Sequence, residues 1–176
     1  MATRLSASQL NKLFVDDLGE AYCIKSNIEK KPLLISPVTN SDLTYKVYIF
    51  NCTNPPGGRT LDEYKIQLIL PEQGRGNRGR LDESDGTIIL IVGFAIYDTS
   101  ENGVWIIWET DKHREFAYSA NLQVKMGSLI DTITNNVFYT KKPGNGEHIV
   151  VSDREHLMQA IALRQKIDVN LLMEED

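Results

Sequence analysis

Glu63-Tyr64-Lys65 sets an acid and a lysine two positions apart in EYKIQLIL, a run of strand-forming composition. Alternate residues of a strand share a face, so the two side chains project together. Metal-dependent nucleases use such a pair with a further acid. The carboxylates hold Mg²⁺, and the lysine orients the attacking water. Asp42 is the candidate first acid, which gives a nuclease reading built on Asp42, Glu63 and Lys65. The bland alternative is an incidental spacing at the mouth of a strand, with Lys65 an edge charge or a partner for Glu63.

Other catalytic chemistry has less to stand on. His113, His148 and His156 are the histidines of the chain, and none falls in a G-x-S-x-G or cysteine-containing signature. His156 reads as a solvated or packed histidine near the start of a helix. No stretch has zinc-ligand spacing, so no catalytic residue, metal or cofactor is assigned. GRGNRGR resembles a phosphate cradle but lacks the G-K-[ST] ending, and no helix follows to lend its dipole. It does place Arg75, Arg78 and Arg80 on one flexible loop between strands. Such a loop suits phosphate contact, and taken alone it equally suits a solubilising role.

A second polar run, DKHREFAYSANLQVK, gathers Lys112, His113, Arg114, Tyr118, Ser119, Asn121, Gln123 and Lys125. Arginine pairs bidentately with guanine and Asn or Gln with adenine, while Ser, Tyr and Lys steady phosphates. Period-two spacing predicts Asn121, Gln123 and Lys125 on one strand face, with Leu122 and Val124 turned to the core. EYKIQLIL alternates likewise, Glu63, Lys65 and Gln67 against Tyr64, Ile66 and Leu68. One polar strand face is unremarkable. Two beside two polar loops predict a concave, donor-rich surface.

These residues need a scaffold, and its elements are largely legible. Ser8 or Ser6 caps a helix expected over about 8–20, whose Leu10, Leu13, Phe14 and Leu18 share a face before Gly19 stops it. IEKKPLLISP, YKVYIF (45–50), EYKIQLIL (63–70), ANLQVK and GEHIVVS read as strands. GTIILIVGFAIYD and GVWIIWET flank an Asn-Gly turn and form a hairpin, with Gly93 expected at a bulge or bend. MGSLIDTITNN predicts a short helix opening at Ser128. A last helix over about 152–167 is expected from the Ser152/Glu155 capping box and the spacing of Leu157, Ile161 and Arg164. The expectation is one α+β, mainly β domain over 1–176: a curved, mostly antiparallel sheet or open barrel with helices at its ends.

Composition narrows the classes. An apolar fraction of 41% and a charged fraction of 24% are those of a globular protein. No apolar run reaches the roughly 18 residues of a membrane span, and MATRLSASQLNKLF lacks a signal-peptide core. Cys23 and Cys52 are expected as free, buried thiols, which with the missing leader suggests the cytoplasm. The net charge of -5 excludes an all-over basic coat, not a local basic patch.

The order YKVYIFNCTNPPGGRTLDEYKIQL, a basic loop, a long hairpin, then WETDKHREFAYSANLQVK resembles the B3-like DNA-binding domains of bacterial restriction endonucleases. The GGR-x-x-DEY-[KR]-IQ and FAYS-x-NLQV runs carry the likeness, over roughly 43–126. The resemblance implies an open seven-stranded pseudobarrel, with its core at about 32–151, closing on the major groove of a short duplex site with two arms. The first arm would run from Asn51 to Asp62 and the second within Asp111 to Asn121. Base contacts are then expected from Arg59, Lys65, Gln67, His113, Arg114, Tyr118, Ser119, Asn121 and Gln123. Phosphate contacts are expected from Asn54, Thr60, Arg75, Arg78, Arg80, Lys112 and Lys125. Partners would be double-stranded DNA and a nuclease domain or subunit that does the cutting, so the chain itself is not expected to be an enzyme. A related barrel reading modified bases or RNA would need an aromatic cage, for which Trp105 and Trp108 are the candidates although they read more naturally as core and hairpin residues, and a protein-interaction module is the other reading.

Overall fold

A computed structural model describes residues 4–54, 62–71, 73–74, 76–99, 101–142 and 145–174. The chain begins with α1 (Ala7–Leu18), capped by Ser6 in a reciprocal box with Gln9. Leu10, Phe14 and Leu18 are buried, and Gly19, at φ +70°, ends the helix where a side chain would be strained.

The strands follow in chain order: β1 (Tyr22–Ile24), β2 (Leu33–Pro37), β3 (Tyr45–Asn51), β4 (Glu63–Leu68), β5 (Gly79–Arg80), β6 (Ile88–Ile96), β7 (Gly103–Trp108), β8 (Glu115–Phe116), β9 (Ala120–Lys125), β10 (Val137–Lys141) and β11 (His148–Asp153). Two further helices are α2 (Met126–Asn135) and α3 (Leu157–Glu174). The class is α+β, mainly β. Seven strands form one mixed sheet in the order β1-β2-β3-β6-β7-β11-β10, while β4 pairs with β9 and β5 with β8. Among the described residues the sheets do not close into a barrel.

Every neighbouring pair in the large sheet is antiparallel except β3 and β6. A parallel pair cannot be joined by a tight turn and needs a long crossover. Here that crossover carries β4, the basic loop and β5 over one face of the sheet. The opposite face is covered by α1 and α3, so the helices lie on a face rather than at the ends of the sheet.

Strand alternation sorts the core accordingly. Val47, Ile49, Val92, Phe94, Trp105 and Ile107 pack with α1 and α3, where Phe14 meets the Trp105 ring edge-on at 5.3 Å. Tyr48, Ile91, Val104, Ile106 and Trp108 pack beneath β4, β9 and α2. Because β7 is covered on both faces, all six of its residues are buried, as expected of a doubly covered strand.

Gly93 corrects the expected bulge. β6 runs unbroken for nine residues, with Gly93 in register against both Phe50 and Ile106. A Cβ there would stand 2.8 Å from Trp108 Cζ3 and 3.0 Å from Ile66 Cγ2. The glycine is thus there for close approach of the β4 layer.

The last helix is also entered differently. Ser152 lies inside β11, fully buried, and its Oγ has no hydrogen-bond partner among the described residues. Asp153 does the capping, accepting from the His156 N–H at 3.0 Å across one 3₁₀ turn. α3 extends past the expected end at 167 to Glu174, and α2 opens at Met126 rather than Ser128. Of the two free cysteines, Cys52 is buried as expected, but Cys23 is exposed. Among the described residues no helix is long and apolar enough to cross a membrane.

Candidate nucleic-acid interface

β4 and β9 pair antiparallel in unbroken register, with Glu63 opposite Lys125, Lys65 opposite Gln123 and Gln67 opposite Asn121. These six polar residues form one face of a two-stranded ribbon. Between them Tyr64, Ile66, Leu68, Leu122 and Val124 turn inward and join the core. Trp108, fully buried, donates its indole N–H to the Gln123 main-chain oxygen at 3.1 Å. The ribbon is therefore held flat on the main sheet with its polar side outward, as the alternation predicts.

Side chains on this face are weakly tethered to one another. Lys65 Nζ donates to Asn121 Oδ1 and Gln67 Nε2 to Ser119 Oγ, each at 3.4 Å. Lys125 Nζ reaches Glu63 Oε1 at 3.1 Å and Asp62 Oδ2 at 3.5 Å. The hydrogen bond that Lys125 donates to Glu63, with the charge of both acids, holds its ammonium above the usual lysine range. Beyond Gln123 and Lys125 the face runs into a cleft of about 240 Å³, lined also by Ser128, Thr140, Lys142 and Ile149.

The two polar loops meet beside the ribbon. β5 pairs with β8, Gly79 opposite Phe116 and Arg80 opposite Glu115. Gln73 ties them further, donating from Nε2 to the Asn77 oxygen at 2.7 Å and the Tyr118 oxygen at 2.6 Å. The basic loop is in this way anchored to the segment that leads into β9. Arg78 and Arg80 are exposed on it, Arg80 with Glu115 4.0 Å away, and the Tyr118 side chain is 66% exposed. Lys112 is exposed on the 3₁₀ turn Thr110–His113.

The other expected contacts among the described residues are His113, Arg114 and Asn54. His113 Nε2 lies 2.5 Å from Glu147 Oε2, a carboxylate whose side chain is only 1% exposed. Arg114 is held by Asp111 and by Glu83 at 3.1 Å. Burial alone would lower its pKa, but those two hydrogen-bonded carboxylates raise it. Both side chains are paired with carboxylates within the protein, and these contacts anchor the 111–119 segment. Asn54 is half-buried, directly after Thr53, which bridges to Lys65 through paired main-chain hydrogen bonds of 2.9 Å. Arg59, Thr60 and Arg75 lie outside the described residues.

The nuclease constellation does not assemble. Asp42 precedes β3, whereas Lys65 bridges to Thr53 just beyond the far end of that strand. Seven residues at about 3.3 Å each separate the two by roughly 20 Å. Glu63 is engaged by Lys125 instead. Among the described residues no group of three His, Cys, Asp or Glu could hold a metal. The aromatic cage fails as well, because Trp105 and Trp108 are both fully buried.

Two contributors escaped the sequence reading: Gln73 sits in a loop whose partners are set by folding, and Glu147 looks like a surface acid yet is buried, as Glu109 is also. Glu109 Oε2 accepts the His148 N–H at 2.9 Å. The one available signal was the isolation of Glu147 beside the apolar run HIVV.

A model of the family described as methylase-associated X1 matches residues 43–161, more than half of the chain and all of the segment that forms this interface. No curated protein and no solved structure matches the chain.

Proposed function

The chain belongs to the methylase-associated X1 family, and from that premise we propose that it is a sequence-specific double-stranded DNA-binding domain of a restriction-modification enzyme. It reads a short site in the major groove, and cleavage belongs to a separate nuclease domain or subunit. The observation that carries this reading is the β4–β9 ribbon, whose outer face is polar at every exposed position. B-DNA's major groove, about 12 Å wide, admits a two-stranded ribbon, and its base edges are read by the amide and ammonium groups found here.

Supporting features surround the ribbon. Arg78 and Arg80 on the basic loop, with Lys112 and Lys125, supply charge for phosphates, which fixes position without reading sequence. Lys65, Gln67, Ser119, Asn121 and Gln123 supply base contacts. Arg59, in the segment leading to β4, is the further base reader that the likeness to B3-like domains implies. The same likeness, over roughly 43–126, makes 51–62 and 111–121 the two arms, and the length of the chain suits one recognition domain over 1–176. The family description adds the link to methylases, the enzymes that act on the same sites as restriction nucleases. The net charge of -5 is compatible with this, since the basic groups are gathered locally.

Selection from a randomised duplex library by the purified chain, with and without cytosine methylation, tests the proposal. A recurring short site is the expected result. Arg59→Ala should then weaken binding to it by about 1–3 kcal/mol and relax one base preference, whereas Arg78→Ala weakens all duplexes alike and lowers the salt slope by about 1. Enrichment of no sequence over the starting pool would reject the reading.

A further inference from the structure

The carboxamides of the ribbon bear on what the site reads, an inference that rests on the DNA-binding proposal. Gln67 and Asn121 face each other in register and both are exposed, and Gln123 follows on the same face. A carboxamide presents one acceptor and one donor group side by side. In the major groove adenine presents the matching pair, an amino donor beside ring nitrogen 7, whereas guanine shows two acceptors that suit arginine or lysine.

The three amides keep that capacity open. Among the described residues Gln67 uses its donor only for the 3.4 Å contact to Ser119, and Asn121 its acceptor only for the 3.4 Å contact from Lys65. Gln123's carboxamide has no hydrogen-bond partner among the described residues. Its backbone is fixed by Trp108, so the amide projects from a rigid strand. Spacing also fits: strand residues two apart are roughly 6.8 Å apart, about two base steps of 3.4 Å. Asn121 and Gln123 can therefore address bases two steps apart without distorting either partner.

We propose that this face selects adenine, and that a methyl group on adenine's 6-amino nitrogen blocks recognition. In a duplex one amino hydrogen pairs with thymine and the other points into the major groove. A methyl group in the groove position removes the donor that a carboxamide oxygen needs and adds bulk where the amide must approach. Lys65, opposite Gln123, suits guanine or phosphate, so the proposal concerns the amide positions alone.

The test starts from the duplex that the whole chain selects. Each adenine is replaced in turn by 7-deazaadenine, which lacks the ring acceptor, or by adenine methylated on the 6-amino group. Binding is measured for the wild type and for Gln67→Ala, Asn121→Ala and Gln123→Ala, each checked for an unchanged unfolding midpoint. At least one adenine should be invariant in the selected site. Either modification there should weaken wild-type binding about tenfold or more, and one amide variant should lose that penalty. A selected site without an invariant adenine, unchanged affinity for the modified duplexes, or the same penalty in all three variants overturns the proposal and leaves DNA binding standing. A chain that selects no duplex overturns the DNA-binding reading, and this inference with it.

Discussion

Trp108 donates its indole N–H to the main-chain oxygen of Gln123 at 3.1 Å, which ties a fully buried ring of the main sheet to the strand that carries the polar face. The site is in this sense an extension of the core. Its polar residues owe their position to apolar neighbours on the same strands, and the crossover demanded by the parallel β3–β6 pair brings β4 to β9.

Gly93 lies on the same contact, so a methyl group there tests it. Gly93→Ala would force a Cβ to within 2.8 Å of Trp108 and 3.0 Å of Ile66, and should destabilise the chain by about 1–3 kcal/mol, the usual cost of overpacking. Gly127, in the first turn of α2, has nothing within 4 Å of a built Cβ. Gly127→Ala should be neutral or stabilising by up to about 1 kcal/mol. Urea unfolding of both variants checks the pair. Equal midpoints would show that β4 does not pack on Gly93.

Ser152 and Asp153 exchange the roles that local sequence assigns them. As a helix cap, Ser152 would cost about 1 kcal/mol on replacement by alanine. Buried in β11 with an unsatisfied hydroxyl, it should instead yield a gain of roughly 1 kcal/mol in Ser152→Ala. Asp153→Ala should be the destabilising change, by about 1 kcal/mol, since it removes the acceptor of the His156 N–H. Opposite signs in the two unfolding midpoints are the expected outcome, and a loss of stability in Ser152→Ala contradicts it.

What could be read in advance follows from the range of the forces involved. Alternation in EYKIQL and ANLQVK is local, and it placed both polar faces and both apolar faces correctly. The α1 cap and the Asn-Gly hairpin are local too. The register that sets Gln67 against Asn121 is not, because it joins strands more than 50 residues apart and depends on the sheet beneath. Gly93 looked like a bulge because nothing in GTIILIVGFAIYD reveals what passes over it. His113 and Arg114 looked like free donors because Glu147 and Glu83 lie 34 and 31 residues away. β1, at three residues, and β5 and β8, at two each, are too short to carry any periodicity.

Lys31 gives a pH signature. Burial lowers its pKa from 10.5 to about 8, with Nζ lying over the Phe50 ring, 3.4 Å from its centroid. Below about pH 8 the lysine is charged in both states, at a cost to the folded one. Between about 8 and 10.5 the unfolded chain holds more protons, so this residue's contribution to stability rises with pH. Burial of Tyr45 and Cys52 raises their pKa values and acts in the opposite direction at the alkaline end. The difference between wild type and Lys31→Met isolates the lysine: the variant should be the more stable near pH 7, with its advantage shrinking by pH 10. An advantage that is absent or grows with pH contradicts the assignment.

Base reading by the β4–β9 face is tested by the ratio of affinities for a selected duplex and a scrambled one, measured for wild type and for Lys65→Ala/Gln123→Ala at one salt concentration. The double variant should unfold at the wild-type midpoint, still bind scrambled DNA to within a few-fold, and lose about 10–100-fold of the preference. An unchanged ratio in the double variant, or a wild type that binds both duplexes alike, would contradict it.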